Sequence, residues 1–181
     1  MSVKELQAGL EILIKVKADA SPEEKWAEAL SMVAQHTAQI FKVAPSEVAV
    51  LMRTDDGTNL KFVYPRALSS GPNNFPLASP SLAGEVVKSA KGAVDNAFAQ
   101  TKHLSIYERM KVDPQKGGAI QKMLAAPIRS TGIPLGLIEV GRKGADPASA
   151  GPDFTAQDLA ALTEIGTAVA PFIQKLKPPL R

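Results

Sequence analysis

Apolar residues recur at two different periods along this chain, and the switches between them lay out its elements. From residue 3 to residue 17, Val3, Leu6, Leu10, Leu13, Ile14 and Val16 stand among Lys and Glu, most of them at helical spacing. This predicts a first amphipathic helix. Ser21-Pro22-Glu23-Glu24 opens a second one. Ser21 is its N-cap, Pro22 takes the first helical position, where an N–H is not needed, and the two glutamates favour the positive end of the helix dipole. That helix is expected to run to about Lys42, with Trp26, Leu30, Val33, Ile40 and Phe41 among its apolar positions. Pro45-Ser46 breaks it. Val48 to Met52 then reads as a strand, Asp55-Asp56-Gly57-Thr58-Asn59 as a turn, and Leu60 to Tyr64 as the returning strand.

Residues 65 to 80 contain Pro65, Pro72, Pro76 and Pro80 and predict a long crossover loop, a kind of segment that often carries function. Ser81 to Lys88 is a short helix ending near Gly92, and Ala93 to Ala97 a brief strand. The stretch from Phe98 to Gly118 is mixed, with a helical turn expected around Ser105 to Met110.

The segment Met123 to Arg142 reads as two apolar strands and a tight turn, and it is the centre of the pattern. Ser130-Thr131-Gly132 is expected to form a three-residue loop with Gly132 left-handed, because a two-residue loop would demand positive φ at the β-branched Thr131. Arg129 then pairs with Ile133. Met123, Ala125, Pro127, Leu135, Leu137 and Glu139 share one face, and Leu124, Ala126, Ile128, Gly136, Ile138 and Val140 the other. Both faces are almost wholly apolar, so both should be covered. Gly136, opposite Ala126 in this register, marks a place where a helix is expected to approach.

After a polar Gly/Ala/Pro loop at residues 144 to 152 comes the best-marked helix. Thr155 is its N-cap, Asp158 completes an acidic capping box, and Phe154 with Leu159 makes a hydrophobic staple. Leu162, Ile165, Val169, Phe172, Ile173 and Leu176 continue its apolar stripe, Pro171 is expected to kink or shorten it, and Pro178-Pro179 ends the structure.

Composition narrows the class of protein. At 181 residues with 45% hydrophobic and 22% charged residues, the chain reads as one globular domain able to bury a real core. A net charge of +3, from 21 basic and 18 acidic residues with no run of four cations, does not argue for nucleic acid or an anionic membrane. There is no cysteine, which excludes disulfides, thiolate metal sites and a cysteine nucleophile, and fits a cytoplasmic setting. No apolar run approaches the roughly 18 residues of a membrane span, and Met-Ser-Val-Lys-Glu-Leu does not read as a signal peptide. No glycine-rich phosphate loop, paired carboxylates or His-containing triad is present. No catalytic residue, metal or cofactor is expected.

The order of elements, with four local matches, resembles the GAF domain, a small-molecule sensor module of signalling proteins. Ser81-Leu82-Ala83-Gly84-Glu85-Val86-Val87 resembles the family's loop-to-helix segment, and Ala93-Val94-Asp95 its short strand ending in Asp. Met123 to Ile128 with Gly136 to Val140 resembles its paired central strands, and Phe154 to Leu162 its closing helix. The resemblance implies an α/β fold of the α+β type, a mainly antiparallel sheet with the N- and C-terminal helices packed on one face. It divides the chain into an N-terminal helix at 1–20 that can serve dimerisation, a single domain at 21–177 and a tail at 178–181. It also implies a non-catalytic regulatory role: binding a small ligand, or relaying a conformational signal to a signalling partner on another chain. The alternative is a structural dimerisation or docking unit with a vestigial pocket. Bilin-binding and methionine-sulfoxide-reducing members use cysteines, and the Asn-Lys…Phe…Asp-Glu signature of cyclic-nucleotide binders is missing.

The resemblance places the pocket between one face of the central sheet and residues 65 to 120, with Glu139, Asp95, Met123 and Tyr64 as ligand-binding candidates. Glu139 is the polar intruder on an apolar strand, next to Met123 in the expected register. A buried carboxylate needs a partner, which can be a ligand's donor, loop amides or a nearby Lys. Asp95 can reach a ligand or satisfy its own loop's amides in an Asx-turn. His36 is expected at the surface or half-buried, and His103, with Tyr107 four residues on, lacks a second ligand for a metal. The apolar ends of the first and last helices, at Leu13, Ile14 and Val16 and at Phe172, Ile173 and Leu176, point either to a homodimer through these helices or to mutual cover within one chain.

Overall fold

The computed structural model describes residues 2–16, 19–69, 74–101 and 118–181. Its elements are α1 (Val3–Val16), α2 (Pro22–Phe41), β1 (Val48–Arg53), β2 (Asn59–Tyr64), α3 (Arg66–Ser69), β3 (Asn74–Pro76), α4 (Leu82–Ser89), β4 (Ala93–Asp95), β5 (Ala119–Ile128), β6 (Gly136–Gly144) and α5 (Ala156–Leu176). The strands form one six-stranded sheet in the order β3-β2-β1-β6-β5-β4, every neighbouring pair antiparallel. The fold is α+β, as the resemblance implied.

The alternation of side chains on β1, β5 and β6 divides the core in two. Val48, Val50, Leu124, Ile138 and Val140 point to the side covered by α1, α2 and α5. Leu51, Met123, Ala125 and Leu137 point to the other side, covered by Leu68 of α3, Phe75 of β3, Val86 and Val87 of α4, and Phe98. Phe62 and Phe75 stack there with ring centroids 5.9 Å apart.

The helix ends form as their sequences dictate. Ser21 Oγ accepts from the Glu24 amide at 3.2 Å and the Glu24 carboxylate accepts from the Ser21 amide at 2.8 Å, a complete capping box. Thr155 and Asp158 repeat it, with the Asp158 amide donating to Thr155 Oγ1 at 3.2 Å and the Thr155 amide to Asp158 Oδ2 at 2.7 Å. Phe154 and Leu159 join the same core. Pro171 does not shorten α5, which continues to Leu176.

Several expectations are corrected. The β5–β6 register is offset by two residues: Ile128 faces Gly136 and Ala125 faces Glu139, so the connection is longer than three residues, although Gly132 does take φ +69° at its tip. A shift of two keeps the side chains of the paired strands on their expected faces, but Leu135, just before β6, packs on the helix side and not with Met123 and Leu137. Ile128, not Ala126, lies opposite Gly136. What approaches Gly136 is strand β1, not a helix; a Cβ there would sit 2.1 Å from the Leu51 carbonyl oxygen. The close helix approach is at Gly166 of α5, whose Cβ would meet the Pro127 carbonyl oxygen at 2.3 Å. The 65–80 stretch is not only a loop, since it carries α3 and the edge strand β3. Its prolines hid β3, because Pro76 closes a strand only three residues long. The short strand ends at Asp95, before Ala97. The helical turn expected at 105–110, with His103 and Tyr107, lies outside the described residues.

His36 is also corrected. It is 1% exposed, on the α2 face that α1 crosses, and neither ring nitrogen has a hydrogen-bond partner among the described residues. Burial lowers its pKa, while Glu5 acts in the opposite sense, so the ring is neutral at pH 7. Finally, residues 178–181 are no loose tail. Leu180 is 7% exposed; its carbonyl accepts from the Asp55 amide at 2.9 Å and its amide donates to Asp55 Oδ2 at 2.8 Å, while Lys177 pairs with the same carboxylate.

The Gly166 contact yields a direct expectation. Gly166→Ala forces α5 away from β5 by more than local relaxation can absorb, and costs about 1–3 kcal/mol in urea unfolding. A midpoint equal to that of the unmodified chain would show that the helix–strand contact has slack.

Candidate functional site

On the sheet face covered by α4, one row of residues crosses four strands. Ala49 of β1 faces Glu139 of β6, Glu139 faces Ala125 of β5, and Ala125 faces Ala93 of β4. Three of the four positions carry only a methyl group. The row is therefore a shallow trough of small side chains in the sheet surface, onto which α4 packs, and its one long side chain is Glu139. Met123 borders the trough, paired with Gly141 on one side and Asp95 on the other. Glu139 thus neighbours Ala125 directly and Met123 only diagonally, a correction that follows from the two-residue offset.

Glu139 is 8% exposed, and among the described residues nothing hydrogen-bonds or ion-pairs with its carboxyl group. Neither loop amide nor lysine meets it there. Burial raises its pKa to about 7, because the charged form loses hydration without recovering it from a partner. The group is poised at neutral pH. A donor placed above the trough could stabilise the carboxylate, and an acceptor could take the proton of the acid.

Other buried or partly buried charges among the described residues contrast with this. Lys122, 5% exposed on β5, donates to the Gly151 carbonyl at 2.6 Å and pairs with Asp153 at 2.7 Å. Glu47 accepts from the Ala44 amide at 2.8 Å and the Lys143 amide at 3.3 Å. Arg142 donates to Pro152 and lies 4.3 Å from the Phe154 ring centroid. These cations and carboxylates fix loops. Glu139 fixes nothing.

With this geometry established, the family model of the GAF domain matches residues 24–174. The chain belongs to the GAF domain family. Among solved structures it is similar to the GAF domain of an Acinetobacter phosphoenolpyruvate-protein phosphotransferase, at 12% identity, covering 97% of this chain and 96% of that one with a TM-score of 0.64. The corresponding domain from Coxiella burnetii gives 13% identity, 96% and 93% coverage and a TM-score of 0.63. A type II free methionine-R-sulfoxide reductase from Thermoplasma acidophilum shares 18% identity, with 86% and 97% coverage and a TM-score of 0.58. At these identities the likeness shows the fold alone. No curated protein matches the chain.

Within this GAF domain the four candidate residues do not form one cluster. Met123 lies diagonally from Glu139 on the trough face, and Asp95 lies beyond Met123 on β4, two strands from Glu139. The Asp95 carboxylate, however, is engaged by its own loop: Oδ1 accepts from the Ala97 amide at 2.9 Å and Oδ2 from the Thr101 hydroxyl at 2.8 Å. It builds an Asx-turn at the trough's edge. Tyr64 is on the opposite side of the sheet. Val50 faces Tyr64 but the next residue, Leu51, faces Phe62, which leaves Val63 as an extra residue in β2. This bulge puts Val63 and Tyr64 on the helix side, whereas Leu60 and Phe62 remain on the trough side. The residues that sequence reasoning passed over are the alanines Ala49, Ala93 and Ala125. Their signal was present as small residues at buried strand positions, but only the register aligns them into a row.

The pKa of Glu139 gives a signed expectation. The folded chain holds this proton up to about pH 7, whereas the unfolded chain releases it near 4.3. Between these values the native state binds more protons, so stability falls as pH rises through the window and levels off above it. Glu139→Gln should remove that slope and stabilise the protein at pH 8 by on the order of 3 kcal/mol relative to the unmodified chain. Parallel denaturation curves at pH 5 and pH 8 check it; an identical slope in both proteins would mean that the carboxyl is hydrated in the fold.

Proposed function

We propose that this chain is a non-catalytic sensing module that binds a small ligand over the Glu139 trough and relays its occupancy to a signalling partner. The observation that carries this reading is the buried carboxyl group of Glu139, unpartnered among the described residues and flanked by alanines on both neighbouring strands. A core optimised only for stability would not keep it, because an unpaired buried acid costs several times what a packed methionine or leucine returns. The ligand class that fits is a small molecule with an apolar body and one N–H, amine or amidine donor. Met123 and Leu137 supply apolar contact, and Glu139 the anchor. A chain without cysteine is compatible with a reducing cytoplasm.

Native mass spectrometry of the purified protein tests the reading. The expected spectrum shows a species heavier than the bare chain by a small molecule, lost on denaturation and absent from Glu139→Leu. A bare-chain mass in every preparation, unchanged by adding small amine ligands, contradicts it.

A specific observation supports relay through the terminal helices. Ile12 of α1 is 59% exposed, and on another side of the same helix Ile14, with Pro171 and Phe172, lines a groove of about 270 Å³ between α1 and α5. Leu6, Leu10 and Leu13 are already buried within the chain. We therefore assign to this remaining surface the pairing of two copies about a two-fold axis. Sedimentation equilibrium at micromolar concentration should give a dimer mass that reverts to monomer in Ile12→Glu, and a monomer mass for the unmodified chain sinks the assignment.

A further inference from the structure

The helix side of the sheet carries a second cavity, separated by β1 and β2 from the Glu139 trough. It owes its existence to two local features. The bulge at Val63 turns Tyr64 toward α2 instead of toward the trough. The Asp55 carboxylate and amide clamp Leu180, and so bring the last residues back across the sheet edge. Between them, the first turns of α2 present Trp26 and Leu30. The space is about 400 Å³ and opens to the surface, and its lining also includes Lys61 of β2 and Arg66 of α3.

The chemistry of this lining is one-sided. Trp26 and Tyr64 offer flat apolar surfaces, and Leu30 and Leu180 close the space around them. Lys61 and Arg66 stand on its wall, Arg66 with a further interaction of its own, and none of the described residues that line it is acidic. Among the described residues the Trp26 indole N–H, the Tyr64 hydroxyl and the Lys61 ammonium have no hydrogen-bond partner. Burial raises the pKa of Tyr64, so the phenol stays a donor throughout the neutral range. A cavity with aromatic walls, several donors and no carboxylate is complementary to a flat anion. Its ring stacks on the indole and the phenol, and its charged oxygens face the ammonium and the planar guanidinium.

We propose that this cavity is a binding site for a small aromatic carboxylate, independent of the Glu139 site. Leu180 is held by the Asp55 clamp and by its packing in the helix-side core, and the Arg181 carbonyl accepts from Asn74 Nδ2 at 3.4 Å, so a ligand that packs against Leu180 adds to the docking of these last residues, and their docking favours the ligand in turn.

The chain holds one tryptophan, so its indole N–H gives a single side-chain signal in a nitrogen-15 correlation spectrum. Titration of the full chain with 2-naphthoate should move that signal saturably. The neutral analogue 2-naphthylmethanol should bind at least about tenfold more weakly, and Lys61→Ala and Arg66→Ala should each lower the affinity for the carboxylate by roughly the same factor. Both substituted side chains lie at the surface end of the cavity, and thermal melts of the variants confirm that they fold. Glu139→Gln should bind 2-naphthoate as the unmodified chain does, which keeps this site distinct from the trough. The proposal is overturned if the indole signal does not move up to millimolar 2-naphthoate, or if the alcohol binds as well as the acid. It is equally overturned if both cation variants retain full affinity, or if Glu139→Gln abolishes binding.

Discussion

The structure depends on the pairing of β1 with β6. Without it the sheet is two separate local pieces, β3-β2-β1 from residues 48–76 and β6-β5-β4 from residues 93–144, each built from strands close in sequence. The pairing runs from Val48 opposite Val140 to Met52 opposite Gly136, and the Arg53 amide extends it by donating to the Leu135 carbonyl at 2.8 Å. Joining strands some eighty residues apart carries a loop-closure cost that only a large burial can offset. That burial comes from both faces at once. β1 and β6 are covered by α2 and α5 on one side and by the α4 side of the core on the other, so the seam is the driest part of the molecule. Gly136 belongs to this seam, because a side chain at that position would push the β1 backbone away.

Much of this was legible in the chain, and the reasons are local. Ser21 and Thr155 sit before apolar periodic runs, with Glu24 and Asp158 three residues on, so the two long helices announce their starts. The two apolar faces of β5 and β6 state that both sides of the sheet are covered. What could not be read is geometry that depends on the partner strand. The loop between β5 and β6 fixes its register only to within an even shift, because a shift of two leaves the burial pattern unchanged. The bulge in β2 is invisible in a sequence where Leu60, Phe62 and Tyr64 alternate regularly, and it carried Tyr64 to the wrong side of the expected site.

His36 and Glu139, unpartnered among the described residues, show the same limit from the energetic side. His36 sits in α2 at a position that helical periodicity alone assigns to a flank, yet α1 covers it. Burial drives it to the neutral form, so its cost at pH 7 is that of an unsatisfied imidazole and not of a charge. Glu139 was recognisable as an intruder because a carboxylate on a strand apolar on both faces has no solvent to turn to. Its lack of a partner was not recognisable, since every other buried charge described here does find one. Sequence exposes where a polar group is out of place; only packing shows whether the fold has answered it.

The position of Glu139 gives that unanswered group a mechanical meaning. Through Ala49 it faces β1 and through Ala125 it faces β5, so it stands on the seam that joins the two halves of the sheet. The helices that lead into β1 and out of β6 are α2 and α5, and they pack on one another across the opposite face. On the proposed reading, a ligand that satisfied Glu139 would change the free energy of the seam by an amount comparable to the coupling energies of allosteric proteins, about 1–3 kcal/mol. The helices that flank the seam, α2 and α5, would be the first to feel a displacement of β6 against β1. Close-packed cores transmit such displacements and do not absorb them. A carboxyl group at the seam is thus placed where, on the proposed reading, binding on one face of the sheet would be felt by the helices on the other.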